Sequence, residues 1–132
     1  MDMTPEFIML AFTLILAIVQ IGWAGMARTG ELGAKWNAGP RDEIMPPPGR
    51  LTGRLMRAQA NLFETLPLFA AAIIMAHVAG KDGQLTFIGS HLYFFGRLIY
   101  LPIYALGIPY LRSLVFLASL AGLLMVIAAL FV

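Results

Sequence analysis

Four long apolar stretches, separated by short polar breaks, constrain this chain more than any other feature of its sequence. They cover approximately residues 7–24, 55–78, 85–106 and 110–132. A helix needs about 20 predominantly apolar residues to cross a bilayer, because the hydrocarbon core is about 30 Å thick and each residue rises about 1.5 Å. Backbone amides in lipid must find partners inside the protein, which favours helices, and none of the four stretches alternates as a half-buried strand does. Composition agrees: 60% of the 132 residues are hydrophobic and 12% charged, with a mean hydropathy of +0.82. A soluble domain carries about a quarter charged residues. One domain over residues 1–132 is expected, all-α and membrane-embedded, an up-down bundle of four transmembrane helices.

The breaks set the topology. The first stretch follows Asp2 and Glu6 without any Lys or Arg and lacks a small-residue cleavage site, so it reads as a retained helix rather than a signal peptide. Residues 28–53 hold Gly30, Gly33, Gly39, Pro40, Pro46, Pro47, Pro48, Gly49 and Gly53, a composition that predicts an extended loop. Gly80-Lys81-Asp82-Gly83 predicts a tight turn between the second and third stretches, and Pro109 marks the link to the fourth. Arg28, Lys35, Arg41, Arg50, Arg54 and Arg57 lie in or beside the first loop, and Arg97 and Arg112 toward the third link, against Lys81 alone on the other side. By the positive-inside rule the first loop is cytoplasmic, and both termini face outward across the cell (inner) membrane. Net charge is +2 with no run of like charges, which does not indicate nucleic acid as a partner. Cysteine is absent, so any thiol chemistry must use a thiol brought by a ligand. His77 and His91 have no nearby Cys or carboxylate at ligand spacing, and no metal is expected. Trp23, Trp36 and Tyr93 read as interfacial anchors. Gly107, Gly122 and Ala70-Ala71-Ala72 suit close helix packing.

The informative residues are polar ones inside the apolar stretches. Arg54, Arg57, Asn61 and Glu64 follow one another at spacings of three, four and three residues, and Arg97, Tyr100 and Tyr104 at three and four. At about 100° per residue each set forms a stripe on one helix face. Both stripes belong to the same half of the bilayer, so the two faces can meet. A charged side chain at the centre of a membrane helix costs roughly 2.5–3.5 kcal/mol on insertion scales, and such groups normally face the protein interior. Two readings stay open: a structural lock, with Glu64 neutralising Arg97 and the outer arginines reaching to the interface, or a ligand site. Pro67 removes a backbone hydrogen bond nearby.

The segment Arg57-Ala58-Gln59-Ala60-Asn61-Leu62-Phe63-Glu64-Thr65-Leu66-Pro67-Leu68-Phe69 resembles the signature of the MAPEG family, membrane-associated proteins in eicosanoid and glutathione metabolism. Gly96-Arg97-Leu98-Ile99-Tyr100 with Tyr104 is similar to the pattern of that family's third helix, and Arg112-Ser113 to the pair that begins its fourth. The whole chain looks closest to the small bacterial members. The resemblance implies a homotrimer that binds glutathione as co-substrate at subunit interfaces on the cytoplasmic side. Arg54, Arg57, Gln59, Asn61, Glu64, Arg97, Tyr100 and Tyr104 would hold the tripeptide. Arg112, Tyr104 and Arg28 would lie near its sulfur, where an arginine lowers the thiol pKa below about 8.5. The apolar electrophile, or a lipid hydroperoxide, would arrive from the lipid side. The implied activity is transfer of glutathione to apolar electrophiles, or peroxide reduction. Two alternatives remain: a non-catalytic protein of the same fold that binds lipid or glutathione, and a proton- or ion-handling component built on Glu64 and the arginines.

Overall fold

The structure, a computed structural model, describes residues 2–132. Its elements are α1 (Pro5–Leu32), a short α2 (Ala34–Ala38), α3 (Arg50–Val78), α4 (Gln84–Leu106) and α5 (Pro109–Ala129). The described residues are thus all-helical outside turns and the first loop.

Local chemistry sets the helix ends. The Thr4 hydroxyl accepts the Phe7 amide at 3.1 Å, and Pro5 occupies the first turn of α1, where its missing N–H is no loss. α4 ends at Gly107, whose φ of 74° is left-handed and therefore suits glycine. Helix α1 continues past the expected residue 24 to Leu32, and α3 begins at Arg50 rather than at 55. At 28 residues α1 is about 42 Å long, more than the hydrocarbon needs, so its last turns stand beyond the apolar segment. The loop expected over residues 28–53 is accordingly shorter and holds α2 at Ala34–Ala38. Pro46, Pro47 and Pro48 are non-helical, as consecutive prolines require.

Helices α1, α3 and α5 are each long and apolar enough to cross a membrane. α4 has the length, at 23 residues, but His91, Arg97 and three tyrosines dilute its apolar content. Tyr93, Arg97 and Tyr100 are absorbed inside, where α4 packs against α1, α3 and α5, while His91 and Tyr104 are half-buried. Its tightest neighbour is α5. A Cβ on Gly89 would lie 2.6 Å from the Gly122 carbonyl, and one on Gly96 would lie 2.9 Å from the Ser119 Cβ. Small residues permit this backbone approach, and dispersion contacts hold it where lipid offers no hydrophobic drive.

Toward the α3–α4 turn the core contains Phe69, Ile73, Tyr93, Leu123 and Val126. Tyr93, expected at the interface, is instead fully buried. It stacks on Phe69 with ring centroids 4.0 Å apart, and its hydroxyl lies 2.8 Å from that of Thr65. Toward the α4–α5 turn the core contains Leu55, Ala58, Tyr100 and Leu101. Ile15, Ile18, Leu114, Leu117 and Leu124 point outward and exposed, the reverse of a soluble protein's pattern.

Candidate functional site

The α3 stripe lies beside the buried arc of its helix rather than within it. Arg57 and Glu64 are exposed, while Arg54 and Asn61, nearer that arc, are half-buried. The α4 stripe falls inside the core, with Arg97 and Tyr100 at 1% and 4% exposure and Tyr104 half-buried.

The stripes meet at two points. Arg97 Nη1 donates to Asn61 Oδ1 at 2.6 Å, and Arg57 Nε donates to the Tyr104 hydroxyl at 3.0 Å. Arg97 also donates from Nη2 to the Ala58 carbonyl at 3.4 Å, and its Cζ lies 4.4 Å from the Tyr100 ring centre. Its Nε is buried without a partner. The pairing of Arg97 with Glu64 weighed from the sequence does not form. Arg97 takes the neutral Asn61, and Glu64 makes no ion pair among the described residues. Glu64 lies nearly a turn beyond Asn61 along α3 and is exposed, while Asn61 is the residue within hydrogen-bond reach of Arg97.

Arg112, in the first turn of α5, completes the cluster with its Cζ 5.2 Å from the Tyr104 ring centre. It lies between two adjoining clefts. One, of 390 Å³, is lined by Asn61, Tyr100, Arg112, Ser113, Phe116 and Leu117. The other, of 180 Å³, is bounded by Arg54, Arg57, Tyr104, Arg112 and the α4–α5 turn. Arg54 supports that turn, donating to the Ala105 carbonyl at 3.3 Å. A Cβ on Gly107 would lie 2.6 Å from the Arg54 guanidinium carbon, so this glycine serves close approach as well as chain reversal. Four arginines and one carboxylate, Glu64, therefore gather at one end of an apolar bundle.

Two of the sequence candidates stand apart within the chain. Gln59 is two residues from both Arg57 and Asn61, which turns it to another side of α3. Arg28 is engaged elsewhere, donating to the Pro46 carbonyl at 2.6 Å and to Glu31 Oε1 at 3.0 Å, while Glu31 Oε2 accepts the Gly49 amide at 2.9 Å. These bonds pin the proline segment to the end of α1. Above it Arg41 stacks over Trp36 at 4.4 Å.

Sequence reasoning missed several polar contacts. Gln20 is 2% exposed with neither amide atom partnered, and Glu6, also buried, accepts the Thr86 hydroxyl at 3.0 Å. Isolated polar residues in apolar helices were the available signal for both. His77, read from the sequence as lacking a carboxylate partner, in fact lies 2.7 Å from Asp82 across the α3–α4 turn, and His91 donates to the Phe87 carbonyl at 2.7 Å.

A long amphipathic bundle with these residues at one end can be set against known families. The family pattern that matches is that of the MAPEG family, over residues 8–132, which covers nearly the whole chain. This chain belongs to the MAPEG family. No curated protein matches it. As a MAPEG protein with three apolar helices long enough to span, it is an integral membrane protein. The match includes α3, α4 and α5, and so every residue of the polar cluster.

Proposed function

We propose that this MAPEG protein is a glutathione-dependent transferase or peroxidase acting on apolar or lipid electrophiles. The observation that carries this reading is the convergence of Arg57, Asn61, Tyr104 and Arg112 on adjoining clefts, with the Glu64 carboxylate on the same stripe of α3. Glutathione carries two carboxylates, an ammonium group and a thiol. Arginines match carboxylates in geometry and charge, and Glu64 matches the ammonium. Family membership supports the same ligand.

In this reading Arg57 and Arg54 hold a carboxylate, with Tyr104 fixing the Arg57 guanidinium. Arg112, whose guanidinium is near Tyr104 and open to the clefts, favours the thiolate over the thiol by its positive charge. Conjugation then forms a C–S bond as the bond to the leaving group breaks, and the leaving group keeps the electron pair. With a hydroperoxide, the thiolate attacks the outer peroxide oxygen as the O–O bond breaks. A second glutathione closes the disulfide, yielding alcohol and water. Tyr104 and Arg112 are the residues best placed to assist the sulfur. Arg28 would contribute only if it left its bonds to Glu31 and Pro46.

The same proposal includes a homotrimer with all four long helices, α4 among them, spanning the inner membrane. The Lys and Arg bias puts both termini outside and the loop after α1 in the cytoplasm. The exposed position of Arg57 and Glu64 on the flank of α3 supports closure of the site by another copy. Gln59, turned to another side of α3, is kept as a glutathione contact only across such an interface.

The test is glutathione titration into the detergent-purified protein, followed by turnover with an aryl halide and with a lipid hydroperoxide. Heat of binding together with turnover supports the reading. Binding without turnover selects the non-catalytic binder of lipid or glutathione. Absence of both binding and thermal protection at millimolar glutathione removes the reading and leaves the proton- or ion-handling alternative.

A further inference from the structure

Asn61 lines the larger cleft, whereas Arg97, almost wholly buried, does not reach it. A guanidinium only donates hydrogen bonds. The Asn61 atom 2.6 Å from Arg97 Nη1 is accordingly its oxygen, the only side-chain atom of asparagine that can accept. With the oxygen occupied from behind, the polar group left to face the cleft is the NH2. Arg97 is itself held by the Ala58 carbonyl and by the Tyr100 ring, so it has little freedom to release Asn61. Asn61 is neutral, and no carboxylate forms an ion pair with Arg97 among the described residues.

We propose that Arg97 is a positioning residue: it locks the Asn61 carboxamide with its NH2 toward the cleft, so that this wall of the site selects a hydrogen-bond-accepting group, a carboxylate or a peptide carbonyl. This deepens the reading of the cleft as a glutathione site and rests on it for the ligand, though not for the lock. It moves Arg97 from the ligand-touching set, where the family resemblance put it, to a role exerted through Asn61. It also accounts for a charged residue at membrane depth whose tip never meets the cleft.

The lock is testable without any ligand. The chain has two asparagines, Asn37 and Asn61, so protein labelled with nitrogen-15 at asparagine gives two side-chain amide signals, and N61A assigns them. R97L is expected to shift or broaden the Asn61 pair, while R97Q, which can still donate to Oδ1, moves it little. An Asn61 signal indifferent to R97L overturns the proposal. Glutathione calorimetry gives the functional arm. R97L should weaken binding about tenfold in the native background and hardly at all in an N61A background, because the effect passes through Asn61. Equal losses in both backgrounds would show that Arg97 acts directly, and would overturn it.

N61D covers the case in which R97L does not fold. It keeps a partner for Arg97 but turns an acceptor toward the cleft, so glutathione binding should fall by more than about tenfold at an unchanged melting temperature. Undiminished binding by N61D overturns the proposal. If the native protein binds no glutathione, the ligand reading fails while the amide signals still decide the lock.

Discussion

The two halves of this bundle solve the membrane problem differently. Near the α3–α4 turn, Phe69 stacks on Tyr93, and Gly89 meets the backbone of α5 at Gly122. Even the polar atoms there, the Thr65 and Tyr93 hydroxyls, satisfy each other. Near the α4–α5 turn, Arg54, Arg57, Arg97 and Arg112 gather around two tyrosines and an asparagine, and open clefts separate them. The first half spends its contacts on helix packing. The second keeps donors uncommitted, which a bundle tolerates only where water or a ligand can reach them. The contrast teaches that stability and recognition are divided along the bundle axis, with α4 taking part in both.

That division can be broken, and the sharpest attempt comes from the packed half. Gly122→Leu should leave no well-folded protein, since even a Cβ there would lie 2.5 Å from the Gly89 carbonyl. Size-exclusion and thermal unfolding in detergent would read this, and a monodisperse variant melting like the native protein would refute the close-approach seam. Phe69→Ala should cost about 3 kcal/mol of stability by opening a cavity beside Tyr93. Its glutathione affinity, measured below the lowered melting point, should be near native. An affinity loss matching the stability loss would mean that the halves are not separate.

Glu64→Gln tests the polar half from the other direction. Glu64 makes no ion pair among the described residues, so the melting temperature should hold. Glutathione binding should fall about tenfold, roughly 1.4 kcal/mol, as a charge-assisted contact to the ammonium is lost. A marked drop in melting temperature would instead revive the structural-lock reading. The smallest effect belongs to Arg28→Ala. Loss of its bonds to Glu31 and Pro46 should cost under about 1 kcal/mol, as exposed ion pairs generally do. Limited proteolysis should report a loosened proline segment while turnover stays near native, and a collapse of turnover would bring Arg28 back to the sulfur.

Much of this was legible in the sequence because bilayer thickness converts directly into residue counts, and helical periodicity into faces. The spacing of Arg54, Arg57, Asn61 and Glu64 was enough to predict a stripe, and the stretch from Arg57 to Phe69 was enough to suggest the family. Periodicity fails at helix ends, where apolar content no longer decides. Hence α1 runs on to Leu32 and α2 lies in what reads as loop. It fails also for Tyr93, since a tyrosine suits an interface and a buried hydroxyl pair equally well, and only the position of Thr65 across α3 separates the two.

Residue type and spacing alone determined that this chain is helical, bound to the membrane, polar along two stripes and MAPEG-like, because these properties depend on solvent and helix geometry. Which partner each polar group takes was decided only in the tertiary structure. The rotation of α3 against α4 turns Asn61, not Glu64, toward Arg97, and leaves Glu64 on an open flank. A one-dimensional pattern records which face a residue occupies. It does not record the rotation between two packed helices, which the small-residue seam and the shared core set together.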